Sequence, residues 1–352
     1  MDAFTTDLLA WYDTHRRSLP WRDTVTPYRT WISEVMLQQT RVDTVLPYFA
    51  RFMSRFPTVE RLADAEQDEV MSMWSGLGYY SRARNMHAAA KAVVALGAFP
   101  TTLKGVRALP GVGEYMAGAI GSIALGLDVA AVDGNLHRVL ARIHRSTTDR
   151  KGAWSLAAAH LPAGRAGDYN QALMDLGSGT CKPRRAECPR CPVSAHCAAF
   201  AAGDVHKYPV KAKKKVTPRR EAVCGVLRRE GRVLIVRRPA AGLYGGMYEL
   251  PGILLNTGEA PDVGLRRAFS ERLGLTIAPG GPLGRVQHTL THMKLTLHIL
   301  DIPTPASATP TLNHYTDARW ITPTEPGDIG ISTLAAKALA VAAKPEPQRM
   351  LF

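Results

Sequence analysis

Apolar residues recur at helical spacing through the first two hundred positions. Ile32, Val35 and Met36 share one face, as do Leu136, Val139, Leu140 and Ile143, so the sequence predicts an almost wholly helical amino-terminal half. From residue 221 the period changes. Two short apolar runs, Ala222-Val223-Cys224-Gly225-Val226-Leu227 and Val233-Leu234-Ile235-Val236, flank Arg228-Arg229-Glu230-Gly231, the pattern of a β-hairpin. Between the halves, the stretch from Lys207 to Arg220 carries two prolines and a run of like charges, which marks a linker able to lie along phosphates. The chain therefore divides into a helical region (1–204), a basic linker (205–220) and an α/β domain (221–345). No internal repeat interrupts this order.

A length of 352 residues suits two or three domains. The formal charge of +14 draws the chain toward a polyanion. Nucleic acid is favoured, because the sequence shows no amphipathic membrane anchor and no apolar run of the roughly 18 residues that a membrane span needs. A merely soluble basic protein is the reading that charge alone leaves open. The start, Met1-Asp2-Ala3-Phe4-Thr5, lacks the basic and apolar segments of a secretory signal, so the expected location is intracellular and cytoplasmic, nucleoid-associated in a bacterium.

Four of the five cysteines, Cys181, Cys188, Cys191 and Cys197, are separated by six, two and five residues. Thiolates so close along the chain can reach one centre, and iron-sulfur clusters are held by four Cys in compact runs of this kind. Zinc ranks second, because only Cys188 and Cys191 form a short knuckle. A disulfide framework ranks third, since such frameworks belong to short secreted chains. Cys224, inside the first strand run, reads as core.

Leu109-Pro110-Gly111-Val112-Gly113 lies between two helical stretches, within about 103–125, and reads as a helix-hairpin-helix whose glycines can present backbone N–H groups to a DNA phosphate. An ordinary helix turn is the alternative. Taken with the cysteine loop and Val132-Asp133-Gly134-Asn135, it resembles the endonuclease III superfamily of base-excision DNA glycosylases. Leu19-Pro20-Trp21-Arg22, Trp31-Ile32-Ser33-Glu34-Val35-Met36-Leu37-Gln38-Gln39-Thr40 and Gly76-Leu77-Gly78-Tyr79-Tyr80-Ser81-Arg82 narrow the resemblance to the MutY-type adenine glycosylases. It covers nearly the whole chain and implies an all-helical glycosylase with a 4Fe-4S loop, followed by a Nudix-like α/β domain.

Cleaving a glycosidic bond to adenine needs a proton on the leaving base and a negative group near the cationic sugar. Glu34 sits among Trp31, Ile32, Val35, Met36 and Leu37, whose burial would lift its pKa to roughly 6–7. In isolation it would read as a surface glutamate. Asp133 precedes the helix that starts near Leu136 and is equally an N-cap. The resemblance makes Glu34 the acid that protonates adenine N7 and Asp133 the stabiliser of the sugar cation. It makes Tyr115 and Asn135 their hydrogen-bonding supports, Trp21, Arg22 and Gln171 the lining of the adenine pocket, and Gln39 and Tyr79 the wedges beside the lesion. Tyr79 could equally pack in a core. On a continuous helix Gln39 would lie about 140° around from Glu34, which would require the helix to approach DNA end-on. Tyr115 stands where lyases of the superfamily carry a Schiff-base lysine, so a monofunctional enzyme is expected.

The second half resembles the MutT-like domain of these glycosylases, most clearly at Gly242-Leu243-Tyr244-Gly245-Gly246-Met247-Tyr248-Glu249-Leu250-Pro251. In its helix Ala268 and Arg272 replace two of the expected glutamates and Glu271 remains, so no magnesium or nucleotide cofactor is expected. The family's lesion-reading loop corresponds to Leu290-Thr291-His292, where Thr291 and His292 would meet 8-oxoguanine; a plain edge strand is the alternative. The implied partner is duplex DNA with adenine opposite 8-oxoguanine or guanine, bound by a monomer, with a sliding clamp or other repair proteins left open. Two other readings stand beside this one: a pyrimidine glycosylase of the endonuclease III type, and a non-catalytic iron-sulfur DNA-binding protein.

Overall fold

The computed structural model describes residues 1–210, 216–303, 309–327 and 329–344. The chain forms two compact units. One comprises Met1–Asp64 and the chain from Asn85 into the linker; the other comprises Ala65–Arg84 and the chain beyond the linker.

The first unit is helical, as its periodicity predicts. Leu8, Leu9 and Tyr12 of helix Ala3–His15 meet Leu136, Val139 and Leu140 of helix Gly134–Ile143, and Leu173 and Leu176 of helix Ala166–Gly179, in one core. Polar side chains set several helix starts: Asp2, Thr26 and Asp133 each accept a backbone N–H from the first turn, a contribution of about 1 kcal/mol apiece. The hairpin lies where the sequence places it, with helix Leu103–Arg107 leading through Gly111 to helix Glu114–Ala124. Gly111 has φ +76°, and a Cβ there would lie 2.6 Å from the Cβ of Asn85, so only glycine fits. Gly113 has φ −87° and begins the second helix. A Cβ on Gly113 would meet nothing within 4 Å, so its smallness leaves the approach to that helix start open.

The second unit is built on a mixed sheet. β1 (Arg219–Arg229) runs antiparallel to β2 (Arg232–Arg237) and β4 (Gly252–Leu254), and parallel to β6 (Lys294–Ile302). β5 (Pro282–Thr289) lies at the edge on β6, while β3 (Tyr248–Glu249) and β7 (Asp317–Ile321) pair with β2. Ala222, Cys224 and Val226 face helix Thr333–Ala342, and Val223 and Leu227 face helix Pro261–Leu273. Burial on both faces explains why the run is continuously apolar. The hairpin is tighter than the sequence suggests. Arg228 and Arg229 continue β1, and only Glu230 (φ +50°) and Gly231 (φ +75°) turn the chain, the two-residue turn whose twist suits paired strands.

Two boundaries depart from the linear reading. The linker read as 205–220 is packed at both ends: Tyr208 accepts a hydrogen bond from Arg142 Nε, and Arg219 already belongs to β1. Lys211 to Lys215, the centre of its charge run, lie outside the described residues. Ala65–Arg84, within the stretch read as part of the helical region, groups instead with the second unit. There Arg237 bonds Asp68 at 2.7 Å, Ser75 Oγ and Tyr80 OH donate to Ile331 O, and Arg84 Nη1 donates to Gly245 O. No described helix is long and apolar enough to cross a membrane.

A Cβ added at Gly118 would sit 2.2 Å from the carbonyl oxygen of Ala130, and that neighbour is backbone. Gly118→Ala is expected to destabilise the protein by about 1–3 kcal/mol through overpacking. Urea denaturation checks this, and a loss too small to measure would contradict the close approach.

Candidate active site and cysteine cavity

Three elements of the first unit converge. Helix Pro27–Leu37 begins with Thr26 as cap and Pro27 in its first turn, and carries Glu34 on its buried face, 6% exposed. Tyr115 stands in the first turn of helix Glu114–Ala124, which packs on the first helix. Its phenol donates to Glu34 Oε2 at 2.6 Å. Asp133 caps helix Gly134–Ile143, accepting from the backbone N–H of Asn135 and Leu136 at 2.8 and 2.7 Å, while Asn135 Nδ2 donates to its other oxygen at 3.0 Å. Cap and predicted functional carboxylate are thus the same group.

What aims Asp133 is a residue that the sequence reading did not single out. Asn170 is fully buried. Its side-chain oxygen accepts from Ala131 N, and its nitrogen donates to Val129 O and Ser122 Oγ. One amide therefore ties the strand-like approach to Asp133 onto both helices beneath it.

Burial dominates the electrostatics. Loss of water raises the Glu34 pKa; the Tyr115 hydrogen bond lowers it, Asp133 raises it again and Arg22 lowers it, leaving it at about 7. The same desolvation, with Glu34 and Asp133 nearby, holds the Tyr115 phenol well above its usual range, so Tyr115 stays a donor. Between the ordinary value of 4.5 and about 7 the native protein keeps a proton that the unfolded chain releases. This group's contribution to stability is therefore fully present below pH 4.5 and lost as pH rises through 7, a change on the order of 3 kcal/mol.

Arg22 and Gln171 line one polar cleft of about 210 Å³ together with Tyr12, Arg16, Ser122 and Asp168. Arg22 is fixed there by Asp175, with Nη1 to Oδ2 at 2.7 Å, and Arg17 Nε reaches Asp175 Oδ1 at 2.8 Å. Asp175 is 5% exposed and escaped the sequence reading. In the folded chain it shares a face of helix Ala166–Gly179 with buried Ala172, one turn earlier, and not the face of Leu173 and Leu176. Trp21 is not among the residues lining the cleft; it packs edge-to-face on Phe49 in the core.

The continuous helix assumed for Gln39 is not present. The helix ends at Leu37, and Gln39 is exposed with φ +59°, so no end-on approach is required of it.

All four loop cysteines line one small, almost wholly apolar cavity with Val139, Ile143, Leu176 and Val205. No three His, Cys, Asp or Glu side chains among the described residues already surround a common point as ligands of a single ion. Burial raises the thiol of Cys191 to about 11 and also raises those of Cys188 and Cys197, so these three stay protonated at neutral pH unless a cation offsets the burial. Two buried arginines missed from sequence brace the loop. Arg142 Nη1 donates to Cys181 Sγ at 3.2 Å and to Lys182 O, and Arg138 bridges Cys181 O and Asn135 Oδ1, at 2.9 Å each. A hydrogen-bonded path thus runs from Asp133 through Asn135 and Arg138 to the cysteine loop. Cys224 is buried in the second unit's core.

In the second unit, the adjacent Tyr79 and Tyr80 differ in burial. Tyr80 is 4% exposed and Tyr79 is 48% exposed. The Tyr79 hydroxyl lies 2.7 Å from Thr291 Oγ1, joining two predicted site residues 212 positions apart. Leu290-Thr291-His292 is the turn between β5 and β6, closed by Leu290 N to Met293 O, rather than a strand, and Thr291 and His292 are exposed. On helix Pro261–Leu273, Arg267 binds Glu259 at 2.7 Å and lies 3.7 Å from Glu271, and Arg272 donates to Gly252 O at 2.8 Å. A guanidinium thus occupies one expected glutamate position.

Residues 32–158 match the family model for the HhH-GPD superfamily of base excision DNA repair proteins, and residues 222–341 match that for the NUDIX domain. The adenine DNA glycosylase of Homo sapiens is 35% identical to this chain, covering 96% of it and 74% of its own length. That of Buchnera aphidicola subsp. Baizongia pistaciae is 30% identical, with 95% of each chain covered. Among solved structures, a thermostable thymine-DNA glycosylase is similar over 56% of this chain and 95% of its own, at a TM-score of 0.53 and 29% identity.

Capping by Asp133 and its charge are separable. Asp133→Ala is expected to cost about 1 kcal/mol by thermal or urea unfolding and Asp133→Asn only a few tenths, since the amide oxygen still accepts the helix N–H groups. Equal losses would contradict the capping geometry.

Proposed function

Because this chain belongs to the adenine DNA glycosylase family, hydrolases of N-glycosyl bonds in base-excision DNA repair, we propose that it removes adenine paired with 8-oxoguanine or guanine and leaves the abasic strand uncut. The observation that carries this reading is the buried Glu34, hydrogen-bonded to Tyr115 and close enough to Asp133 to feel its charge.

Glu34, half-protonated near pH 7, donates its proton to adenine N7. The bond between C1′ and N9 breaks, and its electron pair leaves with the base. Asp133 faces the cationic sugar with its carboxylate held by Asn135 and two backbone donors. Water then adds its hydroxyl to C1′ and returns a proton to Glu34. Tyr115 keeps Glu34 oriented, and a phenol cannot form the imine that strand-cleaving relatives use.

Arg22 and Gln171 meet the edge of the extruded adenine from the polar cleft they share, whose lining does not include Trp21, Glu34 or Asp133. Gln39 and Tyr79, both exposed on positive-φ turns, fill the gap left in the duplex. Thr291 and His292 read the opposite 8-oxoguanine. Gly111 and Gly113 present the hairpin to a phosphate, which the open space over Gly113 supports.

Cys181, Cys188, Cys191 and Cys197 would hold one 4Fe-4S cluster. The soft thiolate donor set and the apolar cavity fit such a group. When bound it supplies redox-capable iron and a rigid fold for the basic loop around Lys182, Arg184 and Arg185. Purified protein should contain iron and sulfide, with broad visible absorption; a colourless zinc protein would overturn this assignment and leave the glycosylase reading intact.

The test of function is single-turnover incubation with duplexes carrying adenine opposite 8-oxoguanine. The expected result is adenine release that Glu34→Gln and Asp133→Asn each abolish while binding persists, with no borohydride-trapped enzyme. Thr291→Ala should narrow the preference for 8-oxoguanine over guanine. Release unaffected by Glu34→Gln, or robust strand cleavage, would contradict the mechanism.

A further inference from the structure

Tyr79 projects from a turn that is unfavourable in itself. Gly76 and Gly78 have φ +97° and +70°, and Tyr79 has φ +48°, a conformation that residues other than Gly, Asn and Asp seldom adopt. An exposed aromatic ring on such a backbone must be held by its surroundings, and the packing below it names the holder.

Arg82, 9% exposed, lies beneath the turn. Its guanidinium carbon stands 5.2 Å from the centroid of the Trp74 ring and 5.5 Å from that of Tyr79. Its Nη2 donates to the carbonyls of Leu77 and Gly78 at 3.2 Å each, and Trp74 Nε1 donates to the same Gly78 oxygen at 3.1 Å. Two successive carbonyls of the turn, both before Tyr79, are thus clamped by one cation that also lies over the projecting ring. Burial lowers the Arg82 pKa to about 10, so the charge persists at neutral pH. A planar, multi-donor group can stack on rings and bond two carbonyls at once, whereas an ammonium is a point charge.

We propose that Arg82 is a positioning residue for the Tyr79 wedge: it holds the ring in the attitude that enters the duplex and itself need not touch DNA. This inference rests on the wedge reading of Tyr79 given above. Arg82 acts on extrusion, and hence on discrimination of the mispair, through Tyr79 alone.

The test is a double-mutant cycle on the full chain with the adenine:8-oxoguanine duplex, comparing wild type, Tyr79→Ala, Arg82→Met and the double variant. Arg82→Met is expected to slow single-turnover adenine release about tenfold or more, from the loss of a desolvated cation–π contact and charged hydrogen bonds. In the Tyr79→Ala background the further loss should be under about twofold, as expected when two residues act as one. Multiplying losses in the double variant overturn this inference alone. A rate untouched by Tyr79→Ala overturns the wedge reading and this inference with it. If Arg82→Met does not fold, Arg82→Lys carries the same cycle. In folded Arg82→Lys the Tyr79 ring resonances of DNA-free protein should shift by NMR; unmoved resonances overturn the proposal without reference to activity.

Discussion

The structure depends on one carboxyl group kept out of water. Glu34 is buried where its ionised form is costly, opposed by Asp133 and only partly relieved by Tyr115 and Arg22. A fully ionised pair of neighbouring carboxylates is disfavoured in such a place, and it is the Glu34 carboxyl that is pushed up. The Asp133 carboxylate accepts from two backbone N–H groups and from the Asn135 amide. The remaining polar architecture of this unit reads as means to that end. Asn170 aims the approach to Asp133, Asp175 holds Arg22, and Arg138 ties Asn135 to the cysteine loop. A metal centre in that loop would thus brace the end of the helix that Asp133 begins, which gives a structural role to residues far from the carboxylates in sequence.

The second unit organises a different set of groups by the same logic. Its sheet carries no glutamate cluster on helix Pro261–Leu273, where arginines now pair with Glu259 and with the Gly252 carbonyl. The turn between β5 and β6 presents Thr291, and the Tyr79 turn reaches it because Ala65–Arg84 packs with this unit. Deleting the residues beyond the linker would therefore strip the Tyr79 turn of its support as well as removing the Leu290-Thr291-His292 turn.

Much of this was legible in the chain. The change of period near residue 221, the capping pattern at Asp133 and the apolar setting of Glu34 are local features, and local features survive folding. Asn170, Asp175, Arg138 and Arg142 were not legible, because periodicity marks a residue as buried and says nothing of its distant polar partner. Gln39 misled for another reason. Met36-Leu37-Gln38-Gln39 has no glycine or proline to stop a helix, and the chain turns there nonetheless. The affiliation of Ala65–Arg84 was hidden likewise: Met71 and Trp74 announce burial without saying against what.

The central claim is that Glu34 holds its proton up to about pH 7 because its site excludes water. Its side-chain carboxyl carbon, labelled with carbon-13 and followed by NMR across pH in the DNA-free protein, should titrate with a midpoint near 7. A midpoint near the ordinary value of 4.5 would contradict the account.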